Sequence, residues 1–308
     1  MTGNGWQPRL VVLDLDGTTV GINQMVPSAR VARAVQATIA AGVPVSVATG
    51  RPVWAALPTT EALGLSIAAD TAQPGLPAAA TATPGSLAEA GRTPALDEPE
   101  ALSMVCSNGS VVYDVIAHRP VHQRFMDPGP ALRALADARP DAGFAVEYGL
   151  QGYRYTASFP RDFPSVFLAQ AELAELGAVP TTRLSGRVPG VPIPTAHTRC
   201  EVAASWIDAA ALDTERYSYE IGYSGWVDVS APGVSKASGV ALLARDLGVA
   251  ADEVLVIGDG GNDVSMFSWA GRSVAMGQAP PEVQAAADEV TASVEEDGVA
   301  CVLEKWFG

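Results

Sequence analysis

The chain has 308 residues, of which 48% are hydrophobic and 17% are charged, a balance sufficient for folded domains with apolar cores. At about 150 residues per domain, this length predicts two domains. The chain carries 19 Lys and Arg against 34 Asp and Glu, a formal net charge of −15. This charge argues against nucleic-acid binding and against docking on an anionic membrane. An acidic protein that binds an anionic substrate therefore needs local positive charge from a metal ion, a lysine or backbone N–H groups.

The cysteines and the N-terminal segment indicate the compartment. Cys106, Cys200 and Cys301 are far apart and include no CxxC pair, so we expect free thiols rather than a disulfide framework or a thiolate zinc site. The N-terminal residues contain neither a basic cluster nor a long apolar stretch, and the sequence contains no run of about 18 apolar residues. The sequence therefore predicts a cytoplasmic protein without a membrane span.

The N-terminal elements predict a parallel α/β unit. Residues 9–13 form a short leucine and valine run, typical of a strand buried on both faces, and residues 43–47 form a second strand. Between them, apolar residues at helical spacing predict a helix over 28–41, with Ser28 as its N-cap and Gly42 just beyond its end. A strand, a helix and a strand in this order imply a right-handed crossover.

An insertion and a hairpin follow. The stretch at about 66–100 is rich in Ala and Pro, which predicts a surface insertion to which we assign no chemistry. Apolar runs at 103–107 and 111–113 flank Asn108-Gly109, a pair that predicts a hairpin.

The middle of the chain is less hydrophobic and predicts an α+β domain with an antiparallel sheet. Its predicted elements are helices at 130–138 and 164–176, strands at 144–148, 153–156, 200–204 and 217–221, and a proline-rich loop at 179–194.

The C-terminal region returns to the α/β pattern, with a helix at 235–247 and strands at 254–257 and 273–276. The predicted fold class is α/β, a parallel-sheet core with an inserted α+β domain. The predicted boundaries are 1–126 and 226–308 for the core and 127–225 for the inserted domain.

Three apolar runs end in polar clusters. Asp14 and Asp16 follow the first strand, the segment 49–51 (Thr-Gly-Arg) follows the second, and the acidic, glycine-rich segment 258–263 follows the strand at 254–257. In open α/β sheets, ligands bind beyond the carboxyl ends of the strands. We therefore expect these clusters to converge on one crevice.

The charged residues of these clusters suit an anion and a metal ion. Asp14 and Asp16 would point to one side of an extended chain, and two carboxylates so close require a cation or a proton. The oxygen ligands of Asp259 and Asp263 suit Mg²⁺. Lys236, at the start of a predicted helix, offers a fixed cation. Taken singly, these residues also fit a solvated Asp-Gly turn, a helix-capping aspartate and a surface lysine.

The Thr-Gly pair after the second strand is a weaker signal. The Thr49 hydroxyl and the unhindered N–H of Gly50 suit a phosphoryl oxygen, but the same pair also fits an ordinary strand-to-helix turn.

Together and in this order, the clusters resemble the motifs of the haloacid dehalogenase superfamily of phosphatases. The four motifs are Asp14-Leu-Asp-Gly-Thr18, Ala48-Thr-Gly-Arg51, Gly233-Val-Ser-Lys236 and Gly258-Asp-Gly-Gly-Asn-Asp263. The long interval between the second and third motifs is similar to that of the Cof-type members of subclass IIB, which carry a cap there. The resemblance therefore implies a Rossmann-like parallel-sheet core with the inserted α+β domain as its cap domain. Further similarities to this subgroup are Ser107-Asn-Gly109, Val274-Ala-Met-Gly277 and Glu296-Asp-Gly-Val299. The Ala/Pro-rich stretch is longer than such members usually carry.

The resemblance implies Mg²⁺-dependent hydrolysis of a phosphomonoester through an aspartyl-phosphate. It implies Asp14 as the nucleophile, Asp16 as general acid and base, and Lys236 as a cation for the phosphoryl group. Mg²⁺ would be held by Asp14, Asp259 and the backbone carbonyl of Asp16. Asp263 would position Lys236 or a metal-bound water.

The resemblance also implies a substrate and its contacts. The implied phosphate- and substrate-binding residues are Thr49, Gly50, Arg51, Asn108 and Asn262. The expected substrate is a sugar phosphate or a similar small phosphometabolite, and the expected state is a monomer or a homodimer. Two alternatives stay open: a phosphomutase-type transferase, and a non-catalytic module that binds sugar phosphates.

Overall fold

The computed structural model describes residues 5–65, 103–188, 196–222 and 225–308. The predicted Ala/Pro-rich insertion lies outside the described residues. None of the three cysteines forms a disulfide in the structure. Within the described ranges, no helix is both long enough and apolar enough to cross a membrane.

The bounds of the secondary-structure elements are as follows. The strands are β1 (Leu10–Leu13), β2 (Val45–Val47), β3 (Ser103–Cys106), β4 (Val111–Asp114), β5 (Arg119–Gln123), β6 (Gly143–Tyr148), β7 (Gly152–Tyr155), β8 (Phe167–Gln170), β9 (Leu184–Arg187), β10 (Ser218–Ile221), β11 (Val227–Ser230), β12 (Val254–Gly258), β13 (Arg272–Ala275) and β14 (Glu289–Val290). The helices are α1 (Ala29–Ala40), α2 (Val53–Ala62), α3 (Gly129–Ala138), α4 (Leu173–Leu176), α5 (Ala196–Ala210), α6 (Lys236–Asp246), α7 (Val264–Trp269), α8 (Pro281–Ala285) and α9 (Gly298–Phe307).

A parallel sheet in the order β14–β13–β12–β1–β2 lies between two layers of helices. Alternate residues of β1 point to opposite faces. Val11 and Leu13 pack with residues of α1 and α9, whereas Leu10 and Val12 pack with residues of α6 and α7. Burial on both faces explains the uninterrupted apolar run, and this layering confirms the predicted Rossmann-like core.

A three-stranded sheet, β3–β4–β5, continues the parallel sheet beyond β2. The N–H of Thr49 donates to the carbonyl of Val105 on β3 at 2.9 Å. β3 and β4 pair antiparallel, which confirms the predicted hairpin. In their connection Ser107, Asn108 and Gly109 all have positive φ, a conformation that residues other than glycine adopt at a cost. We call these two sheets and their helices the core unit.

The third sheet has the order β10–β11–β9–β6–β7–β8 and is antiparallel except for the β7–β8 pair. We call this sheet, with α3, α4 and α5, the cap. One face of the sheet packs under α3 and α5, where the Trp206 indole donates to the carbonyl of Leu135 at 2.9 Å. The residues of that face are apolar: Phe144, Val146, Leu184, Val227 and Val229.

The strand register places polar side chains on the opposite face of the cap sheet. This face carries Glu147, Tyr153, Ser185 and Asp228. Glu220 on β10 lies directly opposite Asp228 on the neighbouring strand β11. Several of these polar side chains contact the core unit. The same face also carries the buried Ala145, and its Tyr153 is buried as well. A largely antiparallel sheet with helices on one face confirms the predicted α+β cap.

Some predictions for the cap elements are wrong. Residues 200–204, predicted as a strand, lie in α5, because the buried side chains Ala203, Trp206 and Ile207 recur at helical spacing. The segment 164–176, predicted as one helix, forms β8 and the short α4, because β8 pairs with β7.

Two further boundaries differ from the sequence prediction. The predicted loop at 179–194 contains β9, which lies between β6 and β11 in the cap sheet. The cap sheet also extends to Ser230, beyond the predicted limit of 225. The domain boundaries themselves stay a prediction.

The hairpin turn packs closely against the start of α6, and this contact yields a stability prediction. At Gly109, with φ +101°, a Cβ atom would lie 2.0 Å from the carbonyl oxygen of Ser235. At Gly248, with φ +64°, a Cβ atom would meet nothing within 4 Å. We expect Gly248→Ala to lower the free energy of unfolding by about 1 kcal/mol, the strain of the left-handed conformation alone. Gly109→Ala should lower it by clearly more, because the backbone must also move.

Chemical denaturation of the two variants checks this prediction. Equal losses of unfolding free energy would contradict the close packing of the turn against α6.

Candidate active site

The polar clusters lie at the carboxyl ends of adjacent strands. Asp14 follows β1, the segment 49–51 follows β2, and Asp259 follows β12, which is the neighbour of β1 on its other side. The expected convergence is therefore present in the fold.

Lys236 lies at the centre of the site. Its Nζ donates to Asp14 Oδ1 at 2.7 Å and to Asp263 Oδ1 at 2.5 Å, and its side chain is 1% exposed. Ser235 is the N-cap of α6 and accepts the N–H of Ser238, which sets Lys236 in the first turn. Burial lowers the pKa of Lys236, but the charges of Asp14 and Asp263 outweigh burial and hold the pKa above its usual value. Lys236 is therefore a fixed ammonium ion and not a solvated surface lysine.

Asp263 connects the lysine to the loop after β12. Its Oδ2 accepts the N–H groups of Asp259 at 2.9 Å and Gly260 at 2.8 Å, while its Oδ1 accepts Lys236. The carboxylate is fully buried. It therefore holds the loop amides, as a capping aspartate does, and also positions the lysine.

Asp259 lies against the turn after β1. Its Oδ1 accepts the Thr18 hydroxyl at 2.8 Å. Gly17 has φ +82°, and a Cβ there would lie 2.2 Å from Asp259 Oδ2, so this approach requires glycine. Burial, and next the charge of Asp263, raise the pKa of Asp259 to about 7. The same two causes hold the pKa of Asp14 well above its usual value, against the opposing effect of Lys236.

The carboxylates fit a divalent cation. Asp14, Asp259 and Asp263 each offer an oxygen within 4.8 Å of the others. Asp263 already accepts three hydrogen bonds, whereas Asp14 Oδ2 and Asp259 Oδ2 accept none from the described residues. Two buried carboxylates and the partly buried Asp259 beside one ammonium leave excess negative charge, which the raised pKa values of Asp14 and Asp259 reflect. Hard oxygen donors in such a field suit Mg²⁺.

Asp16 forms a bidentate ion pair with Arg51. The Arg51 Nε donates to Asp16 Oδ2 at 2.7 Å and Nη2 donates to Oδ1 at 2.6 Å. The Arg51 side chain is only 9% exposed, while that of Asp16 is 38% exposed. The Thr49 hydroxyl accepts the backbone N–H of Arg51 at 3.0 Å, so it shapes this turn. Both oxygens of Asp16 are therefore engaged by the arginine in this structure.

Asn108 brings the remaining predicted residues together. Its Oδ1 accepts the Asn262 amide at 3.0 Å. A Cβ built on Gly50 would lie 3.1 Å from the same Oδ1, so Gly50 is adjacent. The backbone N–H of Asn108 donates to the Thr49 carbonyl at 3.1 Å. The structure thus brings together the residues predicted from three strand ends and a hairpin turn, while their roles stay predictions.

Several residues that support the site were missed from the sequence. Thr18 belongs to the first motif, and its hydroxyl could have been assigned from that motif. Gln278, whose Nε2 donates to the Gly17 carbonyl at 2.6 Å, follows the segment 274–277 without a recognisable pattern. Polar residues of the cap also contact this site, and no spacing in the sequence marks them.

Sequence comparison identifies the family. A model described as haloacid dehalogenase-like hydrolase matches residues 11–73 and 202–303. The stress response protein YhaX of Bacillus subtilis is 47% identical over 75 residues, which are 24% of this chain and 26% of that protein. The 5-amino-6-(5-phospho-D-ribitylamino)uracil phosphatase YcsE of Bacillus subtilis is 39% identical over 80 residues, 26% of this chain and 32% of that protein. The matches to these two relatives therefore span only about a quarter to a third of their length.

Structural comparison extends the match to the whole fold. The solved structure of BT4131, a sugar phosphatase of haloacid dehalogenase subclass IIB, has a TM-score of 0.70 and 20% identity. The alignment covers 96% of this chain and 98% of that chain, so both the core unit and the cap are shared. With the family model matching more than half of the sequence, the chain belongs to the haloacid dehalogenase-like hydrolase family.

Proposed function

We propose that this protein hydrolyses phosphomonoesters, with Asp14 as the nucleophile. The observation that carries the proposal is the buried Lys236 ammonium held between Asp14 and Asp263 at the strand ends. A carboxylate attacks a dianionic ester only where fixed positive charge offsets the repulsion. Lys236 supplies such charge next to the attacking group.

Each residue of the site has a role in this proposal. The Asp14 carboxylate attacks phosphorus and forms an aspartyl-phosphate, while Lys236 and the Thr49 hydroxyl hold phosphoryl oxygens. When bound, Mg²⁺ would be held by Asp14, Asp259 and the Asp16 carbonyl and would neutralise charge on the phosphoryl group. Asp263 keeps Lys236 in place.

Asp16 moves the protons. It donates a proton to the leaving alkoxide and then takes one from the water that hydrolyses the aspartyl-phosphate, help worth roughly 10²–10⁴-fold. Because Arg51 engages both oxygens of Asp16 in the structure, substrate binding has to draw Arg51 away toward the phosphate. This exchange couples substrate binding to the release of the acid–base group.

The polar face of the cap supports a polyhydroxy leaving group, as in a sugar phosphate. Glu220 and Asp228 pair across strands on this face, and Asp228 contacts Asn108. Burial raises the pKa of Glu220 to about 7; the charge of Lys236 opposes this rise, and the charges of Asp228 and Asp263 add to it. Carboxylates accept hydrogen bonds from hydroxyl groups and repel an anionic leaving group.

The first prediction from the proposed function tests the nucleophile. Asp14→Asn should lower phosphate release from a responsive ester by at least about 10³-fold, because the amide cannot form the aspartyl-phosphate. A malachite-green assay over a panel of sugar phosphates, with and without Mg²⁺, measures it. Activity equal to that of the wild type would remove Asp14 from this role, and a sugar phosphate isomer without phosphate release would indicate a mutase.

The second prediction concerns Mg²⁺ and pH. The pKa of Asp259 rises on folding from 3.8 to about 7, so its contribution to stability is present below pH 3.8 and lost as the pH rises through 7. Mg²⁺ binds the ionised carboxylates, so it should raise Tm more at pH 8 than at pH 5. Asp259→Asn should remove most of this effect, whereas Asp252→Asn, at an exposed position, should keep it. Thermal scans in Mg²⁺ and in EDTA measure both, and a Mg²⁺ shift independent of pH would contradict the assignment.

The third prediction concerns substrate charge. Hexose phosphates should be hydrolysed with higher kcat/KM than phosphate esters that carry a carboxylate, because Glu220 repels the carboxylate. Glu220→Gln should reduce this preference several-fold at pH 8, where Glu220 is ionised, and have little effect on it at pH 5. Glu61→Gln, at an exposed position on α2, is the control. An unchanged preference in Glu220→Gln at pH 8 would show that this residue does not select the substrate.

A further inference from the structure

We infer that an ion triad of the cap, Glu147, Arg183 and Asp228, positions the substrate-binding turns of the core unit. The inference rests on the proposed phosphatase function. None of the three residues belongs to a family motif identified in the sequence, and all three act through other residues. They are therefore positioning residues.

Arg183 links the cap to the turn after β2. Its side chain is 4% exposed, with Nε 2.9 Å from Glu147 Oε1 and Nη1 3.1 Å from Asp228 Oδ2. Nη2 donates to the Tyr153 hydroxyl at 2.7 Å. Nη1 also donates to the carbonyl of Gly50 in the core unit. A buried guanidinium of the cap thus fixes the backbone of Gly50. The next residue in the chain, Arg51, forms the ion pair with Asp16.

The two carboxylates of the triad hold the β3–β4 turn. Both oxygens of Glu147 lie within hydrogen-bond distance of the Ser107 hydroxyl, at 2.8 and 2.9 Å. Asp228 Oδ2 accepts the amide of Asn108 at 3.3 Å. Ser107 and Asn108 have φ of +52° and +54°, conformations that persist where the surroundings hold them in place. The cap supplies part of that support.

The hydrogen bonds continue from this turn to the reacting centre. Asn108 Oδ1 accepts the amide of Asn262, which precedes Asp263 in the chain, and Asp263 accepts Lys236. Asp228 is thereby connected through Asn108 to the loop that holds the lysine. Loosening the triad should therefore shift two binding turns although the triad does not touch the reacting atoms.

Stability alone is a weak reason for such a cluster. Two carboxylates and a guanidinium lose their hydration when buried, and buried ion pairs often contribute little net stability compared with apolar residues of similar size. Here every member of the triad also bonds to the core unit. This pattern fits the positioning of the turns between cap and core better than it fits a role in the cap's own packing.

The test compares the triad with a second arginine ion pair of the cap, four residues further along the chain. Arg187 is the last residue of β9, pairs with Asp162 and stacks over Trp226, and these contacts all lie within the cap. Hydrogen–deuterium exchange is measured on wild type, Arg183→Met, Asp228→Ala and the control Arg187→Met. The amides of residues 107 and 108, which donate to carbonyls of the 49–51 turn, should exchange at least about 10-fold faster in both triad variants and unchanged in the control.

Kinetics provide the second measurement. In Arg183→Met and Asp228→Ala, kcat/KM for the best ester of the panel should fall at least about 10-fold, mainly through a higher KM. Asp228→Asn, which keeps an acceptor for Asn108, should recover part of the loss. Asp228→Ala and Asp228→Asn keep Arg183 paired with Glu147, so at least one triad variant should fold if Arg183→Met does not.

The outcomes separate the two proposals. Unchanged exchange at 107 and 108, or an equal effect of Arg187→Met, would overturn the positioning role. Faster exchange in the triad variants, together with no phosphate release by the wild type from any ester, would support the contact and reject the phosphatase function.

Discussion

The ammonium of Lys236 holds together three parts of the chain that are far apart in the sequence. A buried charge without a partner is costly, so the lysine at the start of α6 requires Asp14 at the end of β1 and Asp263 after β12. Asp263 in turn uses its second oxygen to hold the amides of its own loop. The same set of contacts therefore closes the loop, fixes the lysine and orients the carboxylate that would attack phosphorus.

The charge of the site follows from these contacts. The chain as a whole is strongly acidic, and the site itself gathers more carboxylates than cations. Lys236 is shared by Asp14 and Asp263, and Arg51 is engaged by Asp16. In the proposed chemistry, an anionic substrate would receive positive charge from two separate sources. One is a divalent cation, and the other is Arg51 once it leaves Asp16 for the phosphate. In this chemistry, the divalent cation would offset the excess of carboxylates over cations at the site.

The core unit could be predicted closely from the sequence, whereas the cap could not. Strands buried on both faces leave continuous apolar runs such as β1, and Ser28 and Ser235 mark the starts of their helices. In the cap, one face of the sheet carries polar residues and the strands are short, so its elements leave no continuous apolar runs. The sequence therefore predicts a strand at 200–204, within α5, and a helix at 164–176, where β8 lies. Motif residues such as Asp14 and Asp259 could be found because they directly follow the apolar runs of β1 and β12. Arg183 could not, because its partners meet only through the register of the cap sheet.

The parallel sheet of the core unit and the cap sheet contribute to the site in different ways. A parallel sheet brings distant residues to one edge because all its strands end there, and both of its faces are needed for packing. The apolar core of the cap lies on one face of its sheet, under α3 and α5, so residues on the other face can change without removing that core. Glu220 lies on this second face and outside the ion triad. Changes in substrate preference are therefore most compatible with stability at such positions, while Asp14, Lys236 and Asp263 are constrained by burial as well as by chemistry.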